Sequence, residues 1–333
     1  MVFGMLLLLV ACGGGSGTKT DDAVSDGDTP LTKIIFSLDW TQNTNHTGLY
    51  VAKAKGYFTE AGLDVEIAYL GETYTQFVAS GHAQFGMEAQ DTLADAFAAD
   101  EPLGITAVAA VLQHNTSGII SRKGDGIVSP KGLSGKRYST WNYATEQAIL
   151  KYLVEQDGGN WDEVQLIPND ITDEPGALEA NQTDAIWIYY GWSGVNAQLQ
   201  GFDFDYFYLK DLDPTFDYYT PVIIGNNAFM EENPEITKAF LSAVKKGYEF
   251  AAENPEEAAQ ILIDSDDTGT LADQAELVKQ SQAYLSKEYI ADADSWGKID
   301  GARWDAFYKW LNDNGVVEKE LPAGTGYTNE YLG

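Results

Sequence analysis

The stretch LDWTQNTNHTGLYVAKAKGYFTEAGLDVEI, residues 38–67, carries the pattern from which the fold is read. It leaves the apolar run KIIFSL (33–38), crosses a polar cluster and enters the helical stretch HTGLYVAKAKG (46–56), closed by Gly56. It then passes into LDVEIAYL (63–70), which alternates as a half-buried strand does. Asp39, Asn43, Asn45 and His46 crowd the point where strand gives way to helix. In open α/β sheets the carboxyl ends of strands border the ligand crevice, so this cluster is the first candidate for a site.

The same rhythm continues outward. YTQFVASG (74–81) reads as helix, FGMEA (85–89) as strand, and DTLADAFAAD (91–100) as helix with Asp91 as a candidate N-cap. ITAVAAVL (105–112) and SGIIS (117–121) are further strands, and the alternation predicts a mainly parallel α/β sheet. A second series follows the turn-rich segment 122–137. Its helix is TEQAILKYLVEQ (145–156), and VQLIP, DAIWIYY and FDYFYL are its strands. TPVIIG (220–225) is one more strand, and the chain from about Pro234 is helical. A single strand cannot make a sheet, so the tail is expected to return to the first lobe. Residues 32–119 and 223–333 would form lobe 1 and 120–222 lobe 2, joined by extended crossings near Ser117–Ser121 and Thr220–Gly225. Such a hinge lets two lobes close over a ligand.

The chain has 333 residues, a length that suits roughly two domains. Lys and Arg number 20 against 51 Asp and Glu, a formal charge of −31, which disfavours nucleic acid and anionic membrane surfaces as partners. One cysteine and three histidines exclude a disulfide framework, a zinc finger or an iron–sulfur cluster, and no D-x-D-x-D-G calcium loop occurs. No cofactor is expected. MLLLLVA (5–11) is too short to span a bilayer and leads directly to Cys12. Residues 1–12 therefore read as a secretion signal, and Leu9-Val10-Ala11-Cys12 resembles the bacterial lipobox, with a lipid on Cys12. No Lys or Arg precedes the apolar run, as expected if the start lies further upstream. Residues 13–31, rich in Gly, Ser and Asp, read as a flexible tether. The expected location is extracytoplasmic, at the bacterial membrane.

The 38–67 stretch resembles the thiamine-pyrimidine-precursor family, which takes in bacterial ABC-transporter binding proteins and fungal pyrimidine synthases. The resemblance extends through GHAQFGMEAQDTLADA (81–96), SPKGLSGKRYSTW (129–141) and YYTPVIIGNN (218–227), and covers most of Lys33 to Asn312. It implies an α/β, two-lobe periplasmic-binding-protein fold of type II, hinged by two crossover strands. The fungal enzymes resemble this chain at Asn45–His46 but carry a cysteine-rich iron-binding motif and act in the cytoplasm. Here the only cysteine is Cys12. The expectation is therefore a monomeric, lipid-anchored solute-binding protein that hands a thiamine pyrimidine precursor to an ABC permease with its ATPase. The alternatives are the same role for riboflavin or another aromatic heterocycle, and an extracellular enzyme on the same scaffold.

Small flat ligands call for aromatic faces and a few orienting hydrogen-bonding groups. The resemblance places Trp40, Trp141, Tyr189, Tyr190, Trp192 and Tyr219 at the cleft. Strand alternation puts Trp187 and Tyr189 on one face and Tyr190 on the other, and leaves open which of them faces the ligand. Asp39, Asn45, His46 and Glu88 are the hydrogen-bonding candidates. His46 reads equally as a ligand contact or as helix-start structure, and no partnered nucleophile makes it a base. His82 and His114 read as surface or loop histidines, and Asp91/Asp95 and Glu256/Glu257 as solvated helix faces. One departure stands out: transport-branch proteins commonly have Glu where Ser193 stands in Gly191-Trp192-Ser193-Gly194. If that Glu recognises an amino group, Glu88 or Asp39 has to substitute here, or the ligand differs.

Overall fold

A computed structural model describes residues 30–333 except Glu72 and Asp170. The expected signal, the lipid site at Cys12 and the tether up to residue 29 lie outside the described residues.

The strands are β1 (Thr32–Leu38), β2 (Leu63–Tyr69), β3 (Phe85–Glu88), β4 (Ile105–Ala110) and β5 (Ser117–Arg122), followed by β6 (Arg137–Thr140), β7 (Gln165–Pro168), β8 (Ala185–Tyr189), β9 (Phe204–Tyr208) and β10 (Val222–Asn226). They form two sheets, ordered β2-β1-β3-β10-β4 and β7-β6-β8-β5-β9. Burial explains the places in the order. β2 sits at an edge and buries Leu63 and Val65 while Asp64 and Glu66 face water. All five residues of β10 are buried, as an unbroken apolar run in mid-sheet requires. Each sheet is the centre of one lobe.

Each sheet is mixed rather than mainly parallel as the alternation suggested. β10 runs antiparallel to β3 and β4, and β5 antiparallel to β8 and β9. These are the two strands that enter from the other lobe. They arrive without a right-handed βαβ crossover, so nothing requires a parallel direction. The crossings also sit slightly earlier than expected. Ser117–Ser121 is already inside β5, and the connections are residues 111–116 and 209–221. They run side by side: the Val111 amide donates to the Pro221 carbonyl at 3.0 Å, and Asn115 Nδ2 to the Phe216 carbonyl at 3.0 Å.

His114 lies in the first connection and is no ordinary surface histidine. Its Nδ1 is 2.7 Å from Asp217 in the second connection, and its Nε2 is 3.1 Å from Asp292 of lobe 1. Arg303 lies 3.7 Å from Asp217.

The first-lobe helices Thr47–Ala54 and Pro234–Glu253 pack at close range. A Cβ on Gly48 would stand 2.2 Å from the Tyr248 ring, so glycine sets this approach. Proline opens both Pro234–Glu253 and Pro255–Asp264, where its missing N–H costs nothing.

Candidate functional site

Asp39 and Trp40 follow β1 directly, and the next turn fixes them. Asn43 caps the short helix Thr44–His46, and its own amide donates to His46 Nδ1 at 3.1 Å. An amide can only donate, so Nδ1 is the bare nitrogen and Nε2 carries the proton. Nε2 lies 2.8 Å from Asp39 Oδ1. His46 is fully buried with both nitrogens engaged. The structure places His46 at the start of the helix, with its Nε2 on Asp39. Asn45 is half-buried, with its carbonyl accepting from the Tyr248 hydroxyl at 2.6 Å.

Glu88 ends β3 and is buried among donors. Its Oε1 accepts from the Ala89 amide at 2.9 Å, from Thr92 at 2.5 Å and from Tyr74 at 3.4 Å, while Thr75 donates to Oε2. Burial pushes its pKa up to about 7, and the threonine and amide hydrogen bonds oppose that rise. Asp91 does not lie on a solvated helix face, nor does it cap the helix Gln90–Ala98. Ala89 holds the N-cap, and Asp91 is half-buried in the first turn. Its Oδ2 accepts from Tyr218 at 3.3 Å and its Oδ1 is buried without a partner. Burial raises its pKa to about 6.

Tyr189 of lobe 2 and Tyr74 of lobe 1 both feel these carboxylates. Tyr189 is raised in pKa by burial and by Asp91, Asp39 and Glu88, and Tyr74 by burial, Glu88, Asp39 and Tyr143. Both phenols are neutral donors at physiological pH. Trp141 and Tyr143 lie on the loop after β6, with Asn142 between them in the left-handed region at φ 66°. Glu146 holds that loop, accepting from Tyr138 at 2.6 Å and Thr140 at 2.9 Å, and from the amides of Trp141 and Tyr143 at 3.3 and 3.4 Å. Trp40 is 50% exposed and Trp141 37%, so each has a ring face to offer.

The other aromatic candidates are occupied elsewhere. Trp187 is 3% exposed in the core, with its ring 6.2 Å from Trp141. Tyr219 is buried, accepts from the Asp300 amide at 2.9 Å and lies under the Arg303 guanidinium. Tyr190 lies among Tyr206, Tyr208 and Tyr284, its ring tilted to each at 5.1–5.6 Å. Trp192 lies in the π-helical turn Tyr190–Gly194 and packs on Leu262, Leu271 and Val278 of the first-lobe helices. Ser193 donates to Glu174 at 2.6 Å, so a carboxylate does stand beside the position where the transport branch carries Glu. Among the described residues no group of three or more His, Cys, Asp or Glu could hold a metal ion.

Sequence reasoning missed Tyr74, Asp91, Glu146 and Glu174. Only Glu146 had a local signal: it stands three residues after Tyr143, the spacing of a capping box.

Residues 43–258 match the family described as NMT1/THI5 like. The formylaminopyrimidine-binding protein of Halalkalibacterium halodurans is 30% identical over 329 residues, 97% of this chain and 96% of that protein. A 4-amino-5-hydroxymethyl-2-methylpyrimidine phosphate synthase of Saccharomyces cerevisiae is 26% identical, over 90% of this chain and 88% of its own. Among solved structures, the periplasmic aliphatic sulphonate binding protein of Escherichia coli superposes with a TM-score of 0.68 at 14% identity, covering 91% of this chain and 99% of that one. That likeness bears on the fold alone.

Proposed function

Because this chain belongs to the NMT1/THI5-like family and leaves the rings of Trp40, Trp141 and Tyr143 exposed, we propose that it is an extracytoplasmic solute-binding protein for an aminopyrimidine precursor of thiamine. The exposed rings carry the reading: Trp40, Trp141 and Tyr143 are open to solvent, and Asp39, next to Trp40, keeps a partly open carboxylate as an acceptor. A flat ring would stack on the tryptophans, and its amino group would donate to a carboxylate. Neutral Tyr189 would donate to a ring nitrogen. Lobe closure over the ligand, delivery to an ABC permease and lipid anchorage at Cys12 belong to the same proposal. Binding without turnover is favoured over synthase activity because His46, the residue shared with the synthases, is buried with both nitrogens committed.

Calorimetry with 4-amino-5-hydroxymethyl-2-methylpyrimidine, its N-formylamino relative and riboflavin tests this directly. The expected result is one-to-one binding of a pyrimidine, with the probe recovered unchanged. Binding of riboflavin alone, or consumption of the pyrimidine, would overturn it.

A further inference from the structure

The two connections between the lobes are tied to each other, and the first is also tied to lobe 1. Asp217 in the second connection is the hub. Its Oδ1 accepts from the Asn115 amide at 2.9 Å, and its Oδ2 stands 2.7 Å from His114 Nδ1 and 3.7 Å from Arg303. On the lobe 1 side, the Gln113 amide donates to the Glu288 carbonyl at 2.8 Å and Gln113 Nε2 to the Lys298 carbonyl at 3.1 Å, while Arg303 donates to the Gln113 carbonyl. The remaining tie runs from His114 Nε2 to exposed Asp292 at 3.1 Å. Among the described residues, the charged groups facing His114 are thus Asp217 from the second connection, Asp292 from the segment after helix Ala275–Leu285, and Arg303 from helix Gly301–Asp313. The Tyr219 ring lies against Arg303. A neutral imidazole carries one N–H, whereas both ring nitrogens of His114 face carboxylate oxygens, so only the imidazolium donates to both. Together with Arg303 it balances Asp217 and Asp292. When the proton leaves, the shorter Asp217 contact keeps the remaining N–H, and a bare Nε2 is left against the Asp292 carboxylate.

We infer that His114 is a proton-operated pin in the hinge: protonated, it fixes the first connection to lobe 1, and its deprotonation frees the hinge and weakens the hold on the ligand. The inference goes beyond the proposed function, on which its ligand-affinity part rests. In the arrangement described here the lobes touch: Ser281 of lobe 1 donates to the Gly191 carbonyl of lobe 2, and the Tyr208 and Tyr284 hydroxyls lie 3.1 Å apart. Rotation of lobe 2 away from lobe 1 carries the connections with it, and the His114–Asp292 contact resists that rotation because Asp292 stays with lobe 1. The Asp217 hydrogen bond raises the His114 pKa above its ordinary value, against burial and the Arg303 charge, which sets the change near neutral pH. A tie to a group whose pKa is raised on folding is complete in mild acid and is lost as the pH rises through the folded-state value. The hinge is therefore stiffer in mild acid and looser in mild alkali.

The test compares wild type, His114→Gln and His82→Gln at pH 5.5 and pH 8.5. Calorimetry with 4-amino-5-hydroxymethyl-2-methylpyrimidine reads the affinity. Amide hydrogen exchange of residues 111–116 in the empty protein, corrected for its intrinsic pH dependence, reads the freedom of the hinge. Between the two pH values wild type should lose about threefold to fivefold more affinity than His114→Gln, the scale of one partly exposed ion pair. Taking the difference between the two proteins cancels the titration of the probe itself. Protection of residues 111–116 should fall by a similar factor in wild type and stay level in His114→Gln. His82 has its Nδ1 2.8 Å from Ser80 and no part in the hinge, so His82→Gln should keep both wild-type responses. A His114 that only holds the fold predicts a lower melting temperature in His114→Gln with the same pH response of affinity as wild type, and that result overturns the inference. Wild-type protection of 111–116 that does not change with pH overturns it too, and both leave the proposed function standing. Failure of the wild type to bind the probe at either pH overturns the proposed function, and exchange in the empty protein then decides the hinge alone.

Discussion

Replacing Trp40 by alanine gives the sharpest measure of stacking in the cleft. A tryptophan side chain offers up to about 250 Å² of surface. With Trp40 50% exposed, about 125 Å² is open, and a ring lying on one face would cover about half of that. At about 25 cal/mol per Å² this area contributes about 1.5 kcal/mol, and the aromatic pairing adds about 0.5–1.5 kcal/mol. Trp40→Ala should therefore weaken binding by about 2–3 kcal/mol, or about 30- to 150-fold. Trp141, at 37% exposure, should lose slightly less. Phe at either position keeps a flat face and should recover most of the affinity. Because Trp40 packs little against the fold, its truncation should hardly move the melting temperature, whereas Trp187→Ala should lower it markedly through the cavity left in the core. Calorimetric titration of folded variants with the aminopyrimidine reads the effect. Binding within threefold of wild type in both Trp→Ala proteins would refute the stacking argument, since no other open tryptophan face stands at this cleft among the described residues.

Two further perturbations probe the hinge and its neighbourhood. The Asp217 hydrogen bond raises the His114 pKa above its ordinary value near 6.5, so its contribution to stability is complete below that value and fades as pH rises through the folded-state pKa. The melting temperature lost in His114→Gln should thus be larger at pH 5.5 than at pH 8.5, and a loss independent of pH would sink this reading. Gly48→Ala places a methyl group against the Tyr248 ring and should cost about 1–3 kcal/mol of stability. Since Tyr248 also supports the Asn45 carbonyl, ligand affinity should drop as well, and an unchanged melting curve would show that the helices can separate freely.

The elements of this fold were legible because their signals are local. Alternation marked β2, a glycine closed the first helix, and a lone strand at 220–225 pointed back to the first sheet. The polar turn after β1 was legible too, down to Asp39 and His46. What sequence could not tell was which side chains distant parts of the chain would cover. Asp91 and Asp95 look like a solvated pair on one helix, yet Tyr218 and Tyr308, distant in sequence, close over the first of them. The aromatic residues show the same limit from the other side. Trp187, Trp192 and Tyr219 have the composition of a binding platform, but packing uses them as core and as a joint between lobes. Strand periodicity assigned Tyr189 and Tyr190 to opposite faces, and only the tertiary structure brings Tyr189 within the field of Asp91, Asp39 and Glu88.

The position of β10 has a consequence for how the molecule must be assembled. β3 and β4 never touch each other; each hydrogen-bonds to β10 from opposite sides. Until Val222 has left the ribosome, the first sheet is two fragments with facing open edges. Joining Ala110 to Val222 also closes an excursion of over a hundred residues, an entropic cost of about 4 kcal/mol beyond the constant term. The strands of the second sheet, by contrast, are all present once Tyr208 has emerged. The lobe that starts first is the one that finishes last, and its sheet stays incomplete for the first two thirds of the chain.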